Sequence, residues 1–268
     1  MSLSKESEKD LAWELAWEHP FFAKGPDIWL KEVKRTNVAA AFGMKGGILM
    51  CIDEGVEPEP GKNGVYLAGS GILYRKNSIA DPQDRRRQLA EDLRDKKITG
   101  VMSHSDCGAC AIFCHETGSD EPDIVAREWA LQLADDLHVP YMGHIERPNR
   151  PAFHHALIAY YDGTASLRDP SLGGLPPGFT ISRGIIDDTE HALYELNLAC
   201  QIAFGDHGFG DRFTAERPFH IVVIVDTTDT QLTEDKLVSE VRPVLEKDSR
   251  LKLVVMHKPT DESQNSKH

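Results

Sequence analysis

Short, mostly apolar runs alternate with longer amphipathic segments along most of this chain, and this alternation most constrains its fold. The runs at 47–52 and 220–225 carry apolar side chains at nearly every position, as expected for strands buried on both faces, and 98–102 is a further predicted strand. Between them, 81–96 and 122–138 have the length and apolar spacing of helices. Strands that alternate with helices in this way indicate an α/β fold, with a mostly parallel β-sheet flanked by helices.

The segment before the first of these strands has a helical pattern of its own. Residues 4–19 form an amphipathic stretch in which Trp13 and Trp17 lie one helical turn apart. The sequence therefore predicts a helical N-terminal arm over 1–45, a single α/β domain over 46–259 without an internal repeat, and a polar tail over 260–268. Since an arm rich in tryptophan would otherwise expose apolar surface, we expect a homodimer or a higher homo-oligomer.

Composition excludes several classes of partner. The 268 residues include 30 Lys+Arg and 43 Asp+Glu, a formal charge of −13, so nucleic acids and anionic membranes are not expected partners. No run approaches the roughly 18–20 apolar residues that span a bilayer, and the N-terminus lacks the apolar core of a signal peptide. The 5 cysteines do not resemble a disulfide framework. We therefore expect a cytoplasmic protein.

Potential metal ligands follow two of the predicted strands. Cys51 lies at the end of the first strand, with Asp53 two residues later, and His104 and Cys107 follow the strand at 98–102. Because the carboxyl ends of neighbouring parallel strands meet in one crevice, we expect these side chains to converge. Two sulfurs and one nitrogen suit a tetrahedral Zn²⁺ ion and leave one position open. Asp53 is the candidate for a catalytic hydrogen-bond acceptor or for a fourth ligand.

Two other interpretations of the cysteines remain. The thiols and His104 are also compatible with an apolar core that binds no metal. Alternatively, Cys107 and Cys110, with Cys114 and His115, have the spacing of a local metal knuckle or an iron–sulfur site. Since residues 109–113 are apolar and helical in pattern, we expect Cys110 and Cys114 to be core thiols.

These residues resemble the β-class carbonic anhydrases. Three motifs carry the resemblance, in the family's order: Cys51-x-Asp53, Ala68-Gly69 and His104-x-x-Cys107-Gly108. The resemblance covers roughly residues 47–112 in detail. It implies a zinc lyase in which zinc-bound hydroxide reversibly hydrates CO₂ to bicarbonate, with Cys51, His104 and Cys107 as metal ligands and Asp53 as a catalytic residue.

Among the departures from the family pattern, which include Leu67 before Ala68 and Ser103 before His104, one bears on the metal site. The family has an Arg two residues after the Asp, where it pairs with the carboxylate and holds it off the metal, and this chain has Gly55 there. Without a cation, Asp53 could bind zinc directly and close the site. Two alternatives to CO₂ hydration therefore stay open, namely an altered or inactive zinc-binding relative and a hydrolase of a related small electrophile such as CS₂ or COS.

The remaining parts of a catalytic site are not fixed by the motifs. A cation from elsewhere in the chain would replace the missing Arg, and the candidates are Arg75, Arg147 and Arg183. A histidine is also needed to carry the released proton, and the candidates are His115, His144 and His154. The sequence does not choose among them.

Overall fold

The computed structural model describes residues 4–259, and the predicted α/β architecture is confirmed there. The helices are α1 Lys5–Trp17, α2 Pro20–Ala23, α3 Pro26–Glu32, α4 Arg35–Ala39, α5 Pro82–Leu93, α6 Gly108–Thr117, α7 Pro122–Leu137, α8 Thr189–Phe204 and α9 Glu234–Leu245. The strands are β1 Gly47–Met50, β2 Gly64–Tyr66, β3 Ile98–His104, β4 Tyr141–Ile145, β5 Ile158–Asp162, β6 Phe179–Ile181, β7 Phe219–Val225 and β8 Leu251–His257. The polar tail predicted over 260–268 and the first three residues of the arm lie outside the described residues. Within 4–259, no helix combines the length and the apolar character needed to cross a membrane.

The strands form two parallel sheets rather than the single sheet expected from the sequence. The first sheet has the order β2-β1-β3-β4 and the second has the order β6-β5-β7-β8. The two halves of the chain therefore repeat one topology, although the sequence shows no repeat. Apolar runs of similar composition do not reveal which strands pair, because pairing is decided by tertiary contacts.

The two sheets join through their edge strands. The backbone N–H of Tyr66, in β2, donates to Ser182 Oγ at 2.9 Å, and the Ser182 N–H donates to the Tyr66 carbonyl at 3.1 Å. The Thr180 N–H, in β6, donates to the Ile52 carbonyl at 3.1 Å. These bonds cover the outer edges of β2 and β6 and so protect two edges that would otherwise pair with other chains.

The N-terminal arm packs on the second half of its own chain. Trp13, in α1, lies against Phe209 and Phe213 with both ring centroids at 5.0 Å. Arg212 also forms an ion pair with Asp10 of α1, at a distance of 2.7 Å. The tryptophan surface that suggested a homodimer is thus covered within the chain, and the oligomeric state stays a prediction.

The register of the first sheet brings the sequence motifs together. β1 and β3 are neighbours, with Leu49 opposite Val101. β1 ends at Met50, and β3 ends at His104. Their carboxyl ends therefore meet at one edge of the sheet, as expected for neighbouring parallel strands.

Candidate metal centre

Cys51, His104 and Cys107 converge at the carboxyl edge of the first sheet. One potential ligand atom from each lies within 4.8 Å of the other two, and all three residues are buried. Cys51 follows β1 directly, His104 is the last residue of β3, and Cys107 precedes the first residue of α6. The convergence predicted from the sequence is confirmed, and the cluster could hold a metal ion.

The geometry of this cluster fits a tetrahedral divalent ion. Two metal–sulfur bonds of about 2.3 Å at a tetrahedral angle place the sulfurs about 3.8 Å apart. The Cys51 and Cys107 sulfurs are 3.9 Å apart. Histidine ligands to metals usually donate their second ring N–H to a carbonyl or carboxylate. Nδ1 of His104 lies 2.8 Å from the Ser105 carbonyl oxygen, which assigns the hydrogen to Nδ1.

The other ring nitrogen of His104 is the strongest sign of a ligand. Nε2 is buried and has no hydrogen-bond partner within residues 4–259. Buried polar atoms without a partner are rare, since each costs about 1–3 kcal/mol. A metal ion at the cluster would give this nitrogen its partner.

Without an ion, the surroundings of Cys51 and His104 favour the protonated forms of both side chains. Hydrogen bonding to Cys107, together with burial, raises the pKa of the Cys51 thiol well above its usual range. Burial by itself lowers the pKa of His104, but the neighbouring Cys51 and Asp53 raise it to about 9. Metal binding requires deprotonated ligands, so an ion entering this cluster would displace protons.

Gly69 supports Cys51 from the turn after β2. Its backbone N–H donates to the Cys51 sulfur at 3.2 Å. Its φ is +55°, and a Cβ there would lie 2.8 Å from Ile72 Cγ2 and 3.0 Å from Ala109 Cβ. A glycine is therefore needed where this backbone approaches the cluster.

Asp53 is held by an arginine from a distant part of the chain. Arg150 Nε lies 2.9 Å from Asp53 Oδ1, and Arg150 Nη2 lies 2.9 Å from Oδ2. The Gly55 N–H also donates to Oδ1 at 2.8 Å. Both side chains are buried. The Asp53 carboxylate is thus paired, and the group of close ligand atoms at Cys51 does not include it.

Gly55 makes room for this arginine. A Cβ at position 55 would lie 2.8 Å from Arg150 Cγ and 3.0 Å from Pro148 Cβ. Gly55, which stands where the family pattern has an Arg, therefore leaves the space in which a different arginine reaches Asp53. The cations suggested from the sequence are wrong for this role: Arg75 pairs with Asp188, Arg183 pairs with Glu240, and Arg147 is exposed. No spacing signal pointed to Arg150, which lies 97 residues from Asp53.

A second group of buried side chains lies beside Asp53. Asp53, Glu54 and His154 each place one oxygen or nitrogen within 4.8 Å of the other two. His154 Nδ1 is 2.7 Å from Glu54 Oε2, and the His155 N–H donates to Glu54 Oε1 at 2.9 Å. Because Arg150 already neutralises Asp53 and both Glu54 oxygens have partners, this group does not favour a second cation.

A cavity of about 780 Å³ opens beside the metal cluster. Cys107, Arg150 and His154 all line it, together with apolar side chains that include Phe153 and Ile202. Of the histidines suggested as proton carriers, only His154 lies on this cavity. The ring nitrogens of His144 lie within hydrogen-bond distance of Ser103 and Ser105, and His115 is exposed on α6.

The other cysteines of this region belong to the core. Cys110 and Cys114 are buried on α6. Within residues 4–259, neither joins a group of potential metal ligands, so the local knuckle is not formed. The prediction that both are core thiols is confirmed.

Comparison of this chain with protein-family models, with curated proteins and with solved structures found no match.

Proposed function

We propose that this chain is a zinc enzyme of the β-carbonic-anhydrase type, which reversibly hydrates CO₂ to bicarbonate. The observation that carries the proposal is the Asp53–Arg150 pair beside a cluster of three metal-ligating side chains. The sequence motifs resemble the family at the ligands and at Asp53. The pair supplies the cation that the family pattern places at position 55.

Zinc is the metal that this ligand set favours. Two thiolates and one imidazole in a tetrahedral arrangement are typical of zinc sites, whereas magnesium and calcium prefer oxygen ligands. When bound with one position open, zinc lowers the pKa of a coordinated water and so supplies a nucleophile near neutral pH. Three protein ligands, Cys51, His104 and Cys107, leave that position open.

The arrangement of Asp53 supports an open site rather than a closed one. Arg150 and the Gly55 N–H occupy the Asp53 oxygens and fix the direction in which the carboxylate points. A carboxylate that left this pair for a metal ion would leave a buried guanidinium without its partner, at a cost of about 3–5 kcal/mol. Asp53 can therefore accept a hydrogen bond from the reacting water without closing the site.

The cavity supports access by a small apolar substrate. It reaches Cys107 and carries apolar side chains, such as Phe153 and Ile202, on its walls. CO₂ is uncharged and apolar, so it enters such a cavity without the desolvation cost of an ion. The five free cysteines are buried, and we place the protein in the cytoplasm, where thiols stay reduced.

Stopped-flow measurement of CO₂ hydration by zinc-loaded protein tests the proposal. We expect a rate of CO₂ hydration above that of buffer. We expect this rate to be lost in Cys51→Ser and in any other variant whose metal cluster lacks its cysteines. Cys200→Ser is the matched control, since Cys200 is a buried free thiol outside the cluster. A zinc-loaded wild type with no rate above buffer would refute the activity.

X-ray absorption of the zinc-loaded protein tests the open site separately. We expect the zinc ion to have two sulfur ligands, one imidazole ligand and one further light-atom ligand (oxygen or nitrogen). We expect this set of ligands to be the same in Asp53→Asn. A light-atom ligand that disappears in this variant would show that Asp53 binds the metal, and would favour the inactive relative.

A further inference from the structure

We infer that Glu195, on α8, is a positioning residue for the metal cluster, because it fixes the turn that donates a hydrogen bond to Cys51. The turn spans Ala68–Gly71 and follows β2, whereas α8 belongs to the second half of the chain. The inference deepens the proposed function and rests on it in one respect, namely that a metal ion binds at the cluster. It does not depend on which reaction the metal site performs.

Glu195 lies where a carboxylate is costly. Its side chain is fully buried, and its Oε2 has no hydrogen-bond partner within residues 4–259. Its Oε1 accepts the Ala68 N–H at 2.7 Å. Nε2 of His191 lies 3.2 Å from Oε1 but forms no hydrogen bond with it. Buried polar atoms without a partner are rare, so the bond to Ala68 is the contact that accounts for a carboxylate at this position.

The Ala68 N–H in turn needs this acceptor. Ala68 is fully buried, and a buried backbone N–H without a partner costs as much as a lost hydrogen bond. The next two residues leave regular structure, since Gly69 has a φ of +55° and Ser70 a φ of +54°. Neither a helix nor a strand therefore provides a backbone acceptor for Ala68, and the side chain of Glu195 takes that place.

Other side chains hold the far end of the turn. Ser70 is not a glycine, so its positive φ is opposed by its own side chain. The Ser70 hydroxyl donates to the Met102 carbonyl on β3, and Nε1 of Trp129 on α7 donates to the Ser70 carbonyl at 3.3 Å. The turn thus keeps an unfavourable conformation because β3, α7 and α8 each contribute a hydrogen bond to it.

This conformation brings the turn against both sulfurs of the cluster. The Gly69 N–H donates to the Cys51 sulfur at 3.2 Å. A Cβ at Gly69 would lie 3.4 Å from the Cys107 sulfur. Since each peptide unit is rigid, only the two backbone dihedrals of Ala68 separate the N–H that Glu195 holds from the N–H that faces Cys51. Glu195 therefore sets the direction of the hydrogen bond to the sulfur.

A hydrogen bond to a metal-binding thiolate has two effects. It orients the sulfur, and it withdraws negative charge from it, so that the thiolate donates less charge to the metal. Contacts of this kind outside the ligands tune a metal site and hold its ligands in place. The second half of the chain thus takes part in the metal site through Glu195.

NMR of protein loaded with cadmium-113 tests the hydrogen bond directly. Cadmium, like zinc, binds thiolates, and its nuclear spin couples to an amide proton through an N–H···S–Cd bridge. We expect such a coupling to the Gly69 amide proton in the wild type and its loss in Glu195→Met, which keeps the side-chain volume without an oxygen. Glu195→Gln keeps an oxygen acceptor and should restore the coupling. Glu240→Ala is the control, because it removes a carboxylate of the second half that binds Arg183 and not the turn.

Zinc affinity gives a second readout, by competition with a chromophoric chelator. We expect Glu195→Met to weaken zinc binding about 10-fold or more, since the loss of such a contact typically costs about 10–100-fold. Glu195→Gln should lose less than Glu195→Met, and Glu240→Ala should bind zinc as the wild type does. All variants are compared at a temperature at which circular dichroism shows them folded.

The outcomes separate this inference from the proposed function. Coupling to Gly69 that persists in Glu195→Met would overturn the inference, as would a cadmium-loaded wild type without that coupling, a measurement that needs no variant to fold. A wild type that binds neither metal would refute the cluster, the proposed function and this role together. Coupling that is lost in Glu195→Met supports the inference even if the zinc-loaded wild type hydrates no CO₂, a result that refutes the proposed activity alone.

Discussion

At the scale of single residues, a glycine and a distant arginine determine how the Asp53 carboxylate is held. Arg150 makes three charged hydrogen bonds to Asp53 from the segment that follows β4. Burial by itself lowers the pKa of Arg150, but hydrogen bonding to Asp53 raises it, so the guanidinium stays charged. Gly55 is needed because any Cβ there meets the arginine side chain.

A double-mutant cycle measures this dependence. We expect Gly55→Ala to lower the free energy of unfolding by about 1–3 kcal/mol, since it overpacks a buried site. Arg150→Ala should cost about 3–5 kcal/mol, because it leaves a buried carboxylate unpaired. In the double variant the cost of Gly55→Ala should shrink, with a coupling of at least about 0.5 kcal/mol by urea unfolding. Arg87→Ala removes an exposed ion pair and serves as the control; strict additivity of the two buried changes would contradict the packing argument.

An arginine placed at the family's position tests the same pair through activity. In zinc-loaded protein, Arg150→Ala should reduce CO₂ hydration, because Asp53 loses the partner that orients it. Gly55→Arg combined with Arg150→Ala should recover part of that activity, since the new side chain starts two residues from Asp53. Arg150→Lys is the matched comparison, because a lysine keeps the charge without the paired N–H groups. Equal activity in all forms would show that Asp53 needs no cation.

At the scale of elements, the N-terminal helix is held by aromatic packing and not by its own hydrogen bonds alone. Trp13 is 5% exposed, whereas Leu15 on the same helix is 55% exposed. The rings of Trp13, Phe209 and Phe213 pack edge to face. Such pairs add about 0.5–1.5 kcal/mol to the burial of the rings.

Truncation of one side chain on each face of α1 should separate these effects. We expect Trp13→Ala to lower the free energy of unfolding by about 3–5 kcal/mol, the usual cost of removing a buried aromatic ring. Glu8→Ala, at an exposed position of the same helix, should change it by less than about 0.5 kcal/mol, as at other exposed positions. Urea unfolding of both variants at one protein concentration checks this; similar costs would mean that α1 does not pack as described.

His220 connects β7 to the arm and makes the contact sensitive to acid. Its ring lies 5.3 Å from that of Phe22 and 6.2 Å from that of Trp17. Burial, with a smaller contribution from Lys252, lowers the pKa of His220 to about 4. A base with a lowered pKa in the folded state binds protons more readily when unfolded, so stability falls as the pH drops from about 6.5 to about 4.

The variant His220→Phe tests this acid sensitivity. A pKa lowered from about 6.5 to about 4 corresponds to a loss of about 3 kcal/mol in the free energy of unfolding over that pH interval. Other groups also titrate between pH 7 and pH 4. The free energy of unfolding is therefore measured with urea at both pH values for wild type and variant, and the two losses are compared. We expect the variant to lose less stability than the wild type; equal losses would show that His220 is not the group responsible.

At the scale of the whole molecule, two sheets share one strand order, and within residues 4–259 the Cys51–His104–Cys107 cluster that could hold a metal ion lies at the first sheet. β5, which occupies the position of β1 in the second sheet, ends at Asp162. The Asp162 oxygens accept backbone N–H groups of Thr164, Ser166 and Leu167, so they close a turn. The second half instead supports the first: Glu195, fully buried on α8, accepts the Ala68 N–H at 2.7 Å beside the turn that contacts Cys51.

This asymmetry predicts the metal content. We expect one zinc ion per chain by elemental analysis of gently purified protein, and close to none in a Cys51→Ser/His104→Ala variant. Two ions per chain, or zinc retained in that variant, would show that the second half or another site binds metal.

The homodimer is tested at the same scale. α1 still presents Leu11 and Leu15, each more than half exposed, on its outer face. We expect a dimer by sedimentation at micromolar concentration, with loss of that species in Leu11→Asp/Leu15→Asp. A single monomeric wild type would refute it.

The sequence by itself determined the α/β class, the strand ends that carry Cys51, His104 and Cys107, and the core position of Cys110 and Cys114. These follow from local periodicity and from the geometry of neighbouring parallel strands, which short stretches of chain encode. Only the tertiary structure decided that the strands divide into two sheets, that the arm packs on its own chain, and that Arg150 rather than a nearer cation pairs with Asp53. Such contacts join residues 97 positions apart at Arg150 and Asp53 and 202 positions apart at Arg212 and Asp10. The hydrogen bonds and the space that select them exist only once both segments are folded.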